Sequence, residues 1–70
     1  MSAGDYWHSA AANEVKVGDT LRHPEGRLKI TAVKVSGERG MVVKLTGLFP
    51  DGREFAWPMF ADRRVEVVSP

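Results

Sequence analysis

The 70-residue sequence predicts a single all-β domain whose short strands curl into a small barrel. Apolar and polar residues alternate in several short runs, which is the period of a half-buried strand. Proline and glycine turn signals separate these runs, and one long run changes phase in a way that requires a bend. A chain of this length makes one domain with a small core, because such a domain buries only about 60% of its unfolded surface.

The same turn sequence occurs twice, as Pro-Glu-Gly-Arg at residues 24–27 and as Pro-Asp-Gly-Arg at residues 50–53. Proline presets φ for the first turn position, and glycine accepts the left-handed position that follows. Each segment therefore predicts a tight reversal between two strands. The second is the stronger hairpin signal, because alternating apolar residues flank it on both sides.

The second predicted strand changes phase near its middle. Leu28 and Ile30 share one face by strict alternation, whereas Val33 and Val35 lie on the other. All four can face one core only if an extra residue is inserted at Thr31-Ala32, which is a β-bulge. Because long strands bent by bulges allow a short sheet to curl, this phase change is the main evidence for a barrel.

The remaining strands follow from alternation after a glycine-bracketed loop. Residues 41–46 and 54–59 form the third and fourth predicted strands. Because proline has no N–H to donate, the fourth strand is expected either to be a sheet edge at Pro58 or to end there. Residues 60–64 suit a 3₁₀ turn, and 65–67 form the last strand. The predicted inward residues are Val17, Leu21, Leu28, Ile30, Val33, Val35, Met41, Val43, Leu45, Phe55, Trp57, Met59, Val65 and Val67.

Five short strands joined by tight turns, with one 3₁₀ turn before the last strand, indicate an SH3-like small barrel over residues 14–70. An OB-like barrel is the alternative, but it usually needs a longer chain and a helix between the third and fourth strands. Residues 1–13 are rich in small side chains and are predicted to form a flexible N-terminal arm. Tyr6 or Trp7 in this arm either docks on the domain or contacts a partner.

The segment Val17-Gly18-Asp19-Thr20-Leu21, followed by a Pro-Glu-Gly turn and a hairpin, resembles the opening of KOW and Tudor-like modules. Similar Gly-Asp openings occur in Hint-type autoprocessing domains. The resemblance covers residues 15–68 in outline and implies a barrel fold. It implies no activity, because the chain lacks an acidic-aromatic stretch for proline-rich peptides, a set of spaced aromatics for methyl-lysine, and the starting nucleophile of a Hint domain.

Composition indicates the cellular compartment and the kind of genome from which the protein comes. The absence of cysteine excludes disulfides and thiolate metal sites and points to a reducing compartment. The chain shows neither a signal peptide nor a long apolar run, so we expect a cytoplasmic protein. One Ile, one Asn and no Gln, beside plentiful Val, Arg, Ala and Gly, are typical of a high-GC genome such as that of an actinobacterium or one of its phages.

Catalytic chemistry has little support in the sequence. His8 and His23 are the only histidines, and we interpret both as surface or turn residues. Neither stands in a spacing typical of metal ligands, and nothing orients Ser9 or Ser36 against a histidine as a nucleophile. We therefore expect a binding module without enzymatic activity, metal, cofactor or small-molecule substrate.

Two kinds of partner remain open. A protein, including a second copy of the chain, is slightly favoured, since large apolar side chains fall outside the alternating core positions. Nucleic acid is the alternative, although the net charge is only +1 and Glu25 and Glu38 interrupt the basic residues. Phe49 and Phe60 also suit plugs for the two ends of a barrel. The predicted protein contacts are Trp7, Phe49 and Phe60, and the predicted nucleic-acid contacts are Arg27, Lys29, Lys34, Arg39 and Lys44.

Overall fold

The computed structural model describes residues 7–68 and shows an all-β domain. The strands form one antiparallel sheet in the order β1-β6-β2-β3-β4-β5. The predicted fold class, a small all-β barrel, is confirmed, with six strands in place of five. The strands are β1 (His8–Ala11), β2 (Thr20–His23), β3 (Gly26–Ser36), β4 (Val42–Leu48), β5 (Glu54–Phe60) and β6 (Arg64–Val68).

The two ends of the sheet are joined through turns. A 3₁₀ turn, Ala12–Glu14, follows β1 and lies against the connection between β5 and β6. There the Ala12 N–H donates to the Arg63 carbonyl at 2.8 Å, and the Asn13 N–H donates to the Ala61 carbonyl at 3.1 Å. These bonds bring the β1 edge beside the end of β5, so the sheet curls into a barrel-like shape.

Strand β1 corrects the prediction of an arm over residues 1–13. His8–Ala11 pairs with β6, and Ala10 lies directly opposite Val65. The segment His-Ser-Ala-Ala has no apolar alternation, so its sequence carries no strand signal of its own. Its partner strand decides its conformation, because the β6 edge offers unpaired backbone groups. The rest of the predicted arm, residues 1–6, lies outside the described residues.

The predicted bulge is confirmed in β3. The register between β3 and β4 shifts between Ile30 and Ala32, so Thr31 is the extra residue. Its hydroxyl donates to the Thr46 carbonyl at 3.3 Å. Gly47 faces Ile30 at this point, and a side chain there would collide with β3. The bulge bends β3, so its first half packs with β2 and its second half with β4 alone.

The core contains most of the predicted inward residues, but three predictions are wrong. Val17 is 63% exposed, Val35 57% and Met41 55%, while Val33 is half-buried against the core. Val35 is exposed because β2 pairs only with residues 26–29, so the far half of β3 lacks a strand on that side. The buried residues are Ala12, Val15, Leu21, Leu28, Ile30, Val43, Leu45, Phe49, Met59, Val65 and Val67.

The 3₁₀ turn predicted for residues 60–64 is also misplaced. That connection is a simple turn in which the Arg63 N–H donates to the Phe60 carbonyl at 3.0 Å. The 3₁₀ turns lie instead at Ala12–Glu14 and Glu38–Gly40. Of the two alternatives predicted for Pro58, an edge strand or a strand end, the structure shows the edge strand, because β5 is the last strand of the sheet and continues to Phe60. Among residues 7–68, no helix has the length and apolar character that crossing a membrane requires.

Candidate nucleic-acid interface

Three neighbouring strands, β2, β3 and β4, carry five basic residues and no acidic residue. All five side chains are exposed, whereas residues next to them in the chain, such as Leu21, Leu28 and Leu45, are buried. Side chains alternate between the two faces of a sheet, so the basic ones project outward. We call this surface the basic face: Arg22, Arg27, Lys29, Lys34 and Lys44.

The register brings the basic side chains into pairs. Arg22 lies directly opposite Arg27, and Lys34 lies directly opposite Lys44. Like charges at opposed positions destabilise a sheet. Within residues 7–68, neither lysine of the second pair has a carboxylate within ion-pair distance. Among the described residues, the Lys34–Lys44 pair therefore presents positive charge with no carboxylate beside it.

The two glutamates that interrupt the basic residues in the linear sequence lie at the ends of this face. Glu25 occupies the β2–β3 turn, where its Oε1 lies 3.3 Å from an Arg53 guanidinium nitrogen. Arg53 also contacts Asp51 at 2.8 Å, and its backbone N–H, followed by its guanidinium, holds the pKa of Asp51 below its ordinary value. Glu38 lies in the turn between β3 and β4. Neither glutamate stands between the basic side chains of the strands.

Arg39 lies at the tip of the β3–β4 hairpin, beyond the basic face. Its φ of +58° is left-handed, between Gly37 at +81° and Gly40 at +65°. This conformation is unfavourable for a residue with a Cβ. Of the predicted nucleic-acid contacts, the structure thus brings Arg27, Lys29, Lys34 and Lys44 onto one face and leaves Arg39 at its end. Sequence reasoning missed Arg22, which only the β2–β3 register reveals.

Trp7 lies beside the two arginines of the basic face. The guanidinium carbons of Arg22 and Arg27 are 5.8 and 5.9 Å from its ring centroid, within the range of cation–π contact. Arg22 also approaches Glu66 at 3.7 Å. A cavity of about 300 Å³ opens at this point, lined by Trp7, Arg22, His23, Pro24, Gly26 and Arg27. An aromatic side chain therefore accompanies the basic residues.

An aromatic cluster closes the neighbouring end of the barrel. The His23 ring lies 5.2 Å from Phe49, 4.9 Å from Phe55 and 4.8 Å from Trp57, all at steep interplanar angles. Since β2 and β5 are not neighbours in the sheet, these contacts cross the barrel interior. His23 is thus a half-buried packing residue at the end of β2 whose Nδ1 accepts the Glu25 N–H at 3.0 Å, which corrects its interpretation as a surface or turn residue.

The predicted protein contacts do not form one surface. Phe49 is only 4% exposed and plugs the barrel end, so it offers no contact to a partner. Phe60 is 67% exposed and lies opposite Val42, at the other end of the β4–β5 pair. It lines an apolar groove of about 330 Å³ with Val42, Pro58, Met59 and Arg63. Trp7 lies instead beside the arginines of the basic face.

A polar cavity of about 400 Å³ beside β1 contains His8, Ser9, Glu14 and Asp19. Its acidic side chains hold the backbone: Glu14 accepts the Ala11 N–H at 2.8 Å, and Asp19 accepts the Lys16 N–H at 3.0 Å. The Ser9 hydroxyl accepts a hydrogen bond from Arg64 at 3.0 Å. In the described part of the chain, no three His, Asp or Glu side chains converge in an arrangement that could hold a metal ion.

Comparison with known proteins gives a similarity in fold. No family model matches the chain, and no curated protein matches it either. A solved structure, a translation initiation factor eif-5a family protein from Naegleria fowleri ATCC 30863, is similar with a TM-score of 0.76 and 20% sequence identity. The match covers 93% of this chain and 49% of that chain, so this chain spans about half the length of the similar protein. At this identity the similarity establishes a shared small-barrel fold.

Proposed function

We propose that this domain is a non-catalytic, cytoplasmic binding module that holds the phosphate backbone of a nucleic acid on the basic face. The observation that carries the proposal is the opposed pair of Lys34 and Lys44, on strands with five basic residues and no acidic one. Such a pair costs folding stability, and a polyanion across both lysines removes the repulsion. Each phosphate contact also releases condensed counterions, which favours binding at low salt.

The length of the face suits a nucleic-acid strand. Arg27, Lys29 and Lys34 lie within eight residues of β3, and the seven steps between the first and the last span about 23 Å at about 3.3 Å per step. A backbone lying along β3 meets these three cations in succession, and Lys44 adds a fourth from β4. Lysine ammonium groups act as point charges toward phosphates, whereas an arginine fork donates two parallel hydrogen bonds.

The similar solved structure indicates which nucleic acid to test first. Its name places it among translation initiation factors, so we take RNA as the first ligand to test for this chain. The similarity supports a binding role for a barrel of this shape, while the basic face supplies the chemistry. The preference for nucleic acid over protein rests on the basic face. The linear sequence makes this face look less positive than it is, because Glu25 and Glu38 stand among the basic residues in the chain but lie in turns.

A second candidate function is contact with a protein, including another copy of this chain. Phe60 and Met41 are 67% and 55% exposed, beside the groove that Val42 and Pro58 line. Exposed apolar side chains grouped in this way are typical of protein contacts. Sedimentation across a range of concentrations tests self-association, and a dimer that Phe60→Ser abolishes supports it.

The proposed function is tested by fluorescence anisotropy with labelled single-stranded RNA and mixed-sequence DNA at low salt. We expect the wild type to bind and the double variant Lys34→Gln/Lys44→Gln to bind much more weakly. Lys16→Gln is the matched control, because Lys16 is exposed and lies outside the three strands. The proposal is overturned if the wild type binds neither nucleic acid, or if the control loses as much affinity as the double variant.

A further inference from the structure

We infer that the module selects unpaired nucleotides, with one base stacked on Trp7 and the adjacent phosphate held by Arg22 and Arg27. This inference rests on the proposed function, because it names the form of nucleic acid that the basic face accepts. It adds a base-contacting residue to a surface that otherwise contacts only phosphates. The basic side chains of the sheet bind phosphates of any nucleic acid, whereas the indole distinguishes an unpaired base from a paired one.

The surroundings of Trp7 contain a group for each part of a nucleotide: an aromatic ring for the base and two guanidinium groups for the phosphate. Its half-buried indole lines the cavity of about 300 Å³ together with both arginines, whose guanidinium carbons lie within 6 Å of its ring centroid. Arg22 and Arg27 are opposed residues on the outer face of the sheet, so both approach the indole from the sheet. A ligand that enters this cavity meets the indole and both guanidinium groups.

The site is held in position by the elements around it. Arg22 contacts Glu66 on the neighbouring strand at 3.7 Å. His23, the next residue, is packed between β2 and β5 by its contacts with Phe55 and Trp57 and accepts the Glu25 N–H. The β2 side of the β2–β3 turn, which forms one wall of the cavity, is therefore anchored. A prearranged wall reduces the ordering cost of binding.

A base inside a duplex cannot use this site. Its faces are covered by neighbouring bases, whereas an unpaired base can place one face on an aromatic ring. The phosphates of duplex and single strand are equally available to the lysines of β3 and β4. The site therefore predicts a preference for single strands that depends on the Trp7 ring and not on charge.

The decisive probes are a single-stranded uridine oligonucleotide, an abasic strand of equal length and phosphate number, and a duplex RNA. We expect Trp7→Ala to lower affinity for the oligonucleotide roughly tenfold and to leave the abasic strand unaffected. Trp7→Phe should retain most of the affinity, since a phenyl ring also stacks. Thermal unfolding of each variant shows whether it is folded.

A spectroscopic measurement keeps the test independent of the Trp7→Ala variant. The chain has two tryptophans, so Trp57→Phe leaves Trp7 as the only one and conserves a ring in the aromatic cluster. We expect the oligonucleotide to quench the fluorescence of Trp7 and the abasic strand to leave it unchanged.

Two results overturn the inference while leaving the proposed function standing. One is an equal loss for abasic and base-bearing strands in Trp7→Ala, or no loss for either. The other is that the wild type binds duplex RNA as tightly as the single strand and that the oligonucleotide does not quench Trp7 fluorescence in Trp57→Phe. If no probe binds the wild type at low salt, the proposed function and the inference both fail.

Discussion

Lys34 and Lys44 face each other across the antiparallel pair of β3 and β4, with their side chains on the outer face of the sheet. Opposed residues have Cβ atoms about 4.5–5.5 Å apart, so the two ammonium groups repel. Lys29, also on this face, has uncharged partners on both sides, Thr20 and Leu48. Substitutions at Lys44 and at Lys29 therefore separate the effect of repulsion on folding from the effect of charge on binding.

Lys44→Glu should stabilise the fold and weaken RNA binding. The substitution replaces a repulsive cross-strand pair with an attractive one, which contributes about 0.2–1 kcal/mol to the free energy of unfolding. Urea unfolding measures the stability and anisotropy measures the affinity. The control, Lys29→Glu, should also weaken binding but leave the stability within about 0.5 kcal/mol of wild type. A Lys44→Glu variant less stable than wild type contradicts this account of the pair.

Gly47→Ala should destabilise the protein by about 3 kcal/mol, because the added methyl group has no room. Its Cβ would collide with the Lys29 carbonyl oxygen and lie 2.9 Å from the Leu28 Cγ. The backbone oxygen cannot move without breaking the β3–β4 ladder at the bulge. Gly52→Ala is the control: its methyl would meet nothing within 4 Å, and only the φ of +90° is unfavourable, at about 1 kcal/mol. Equal losses for both variants, in chemical denaturation, would refute the close approach at Gly47.

Phe49 and Phe60 should respond differently to truncation. Phe49→Leu leaves a gap among His23, Phe55 and the core and should cost about 1 kcal/mol of stability, whereas Phe49→Ala should cost about 3–5 kcal/mol. Phe60→Ala should stay within about 0.5 kcal/mol of wild type, because its ring is 67% exposed. Thermal or urea denaturation of the three variants measures the difference. A large loss in Phe60→Ala would mean that its ring is a core residue after all.

Arg39→Gly should raise stability by up to about 1 kcal/mol, because glycine accepts the φ of +58° that arginine adopts at a cost. Arg39→Ala removes the same charge and keeps the Cβ, so it should give no such gain. Differential scanning calorimetry compares the two. If the alanine variant gains as much as the glycine variant, charge rather than backbone conformation explains the effect.

Local sequence signals predicted the parts of the fold that depend on alternation. The bulge at Thr31 follows from the phase difference between Ile30 and Val33, and the edge position of β5 follows from Pro58. Both are properties of neighbouring residues in the chain. The exposure of Val35 could not be read in this way, because it depends on where the β2 strand ends beside β3.

The candidate site was only half visible in the sequence. Lys34 and Lys44 could be assigned to one hairpin, but their direct opposition depends on the bulge that shifts the register by one residue. Trp7 and Arg22 come from segments that no local pattern connects, and β1 has no strand signal at all. Burial of His23 among aromatic rings likewise requires β2 and β5 to meet across the barrel.

The salt dependence of RNA binding tests the central claim most directly. For single strands, the logarithm of the association constant falls with the logarithm of salt concentration by about 0.7 per phosphate neutralised, so five basic side chains predict a slope of about −3.5. Lys34→Gln/Lys44→Gln should reduce its magnitude by about 1.4, and Lys16→Gln should leave it unchanged. A wild-type slope near zero, or the same slope in wild type and double variant, would contradict the assignment of the basic face as the binding surface.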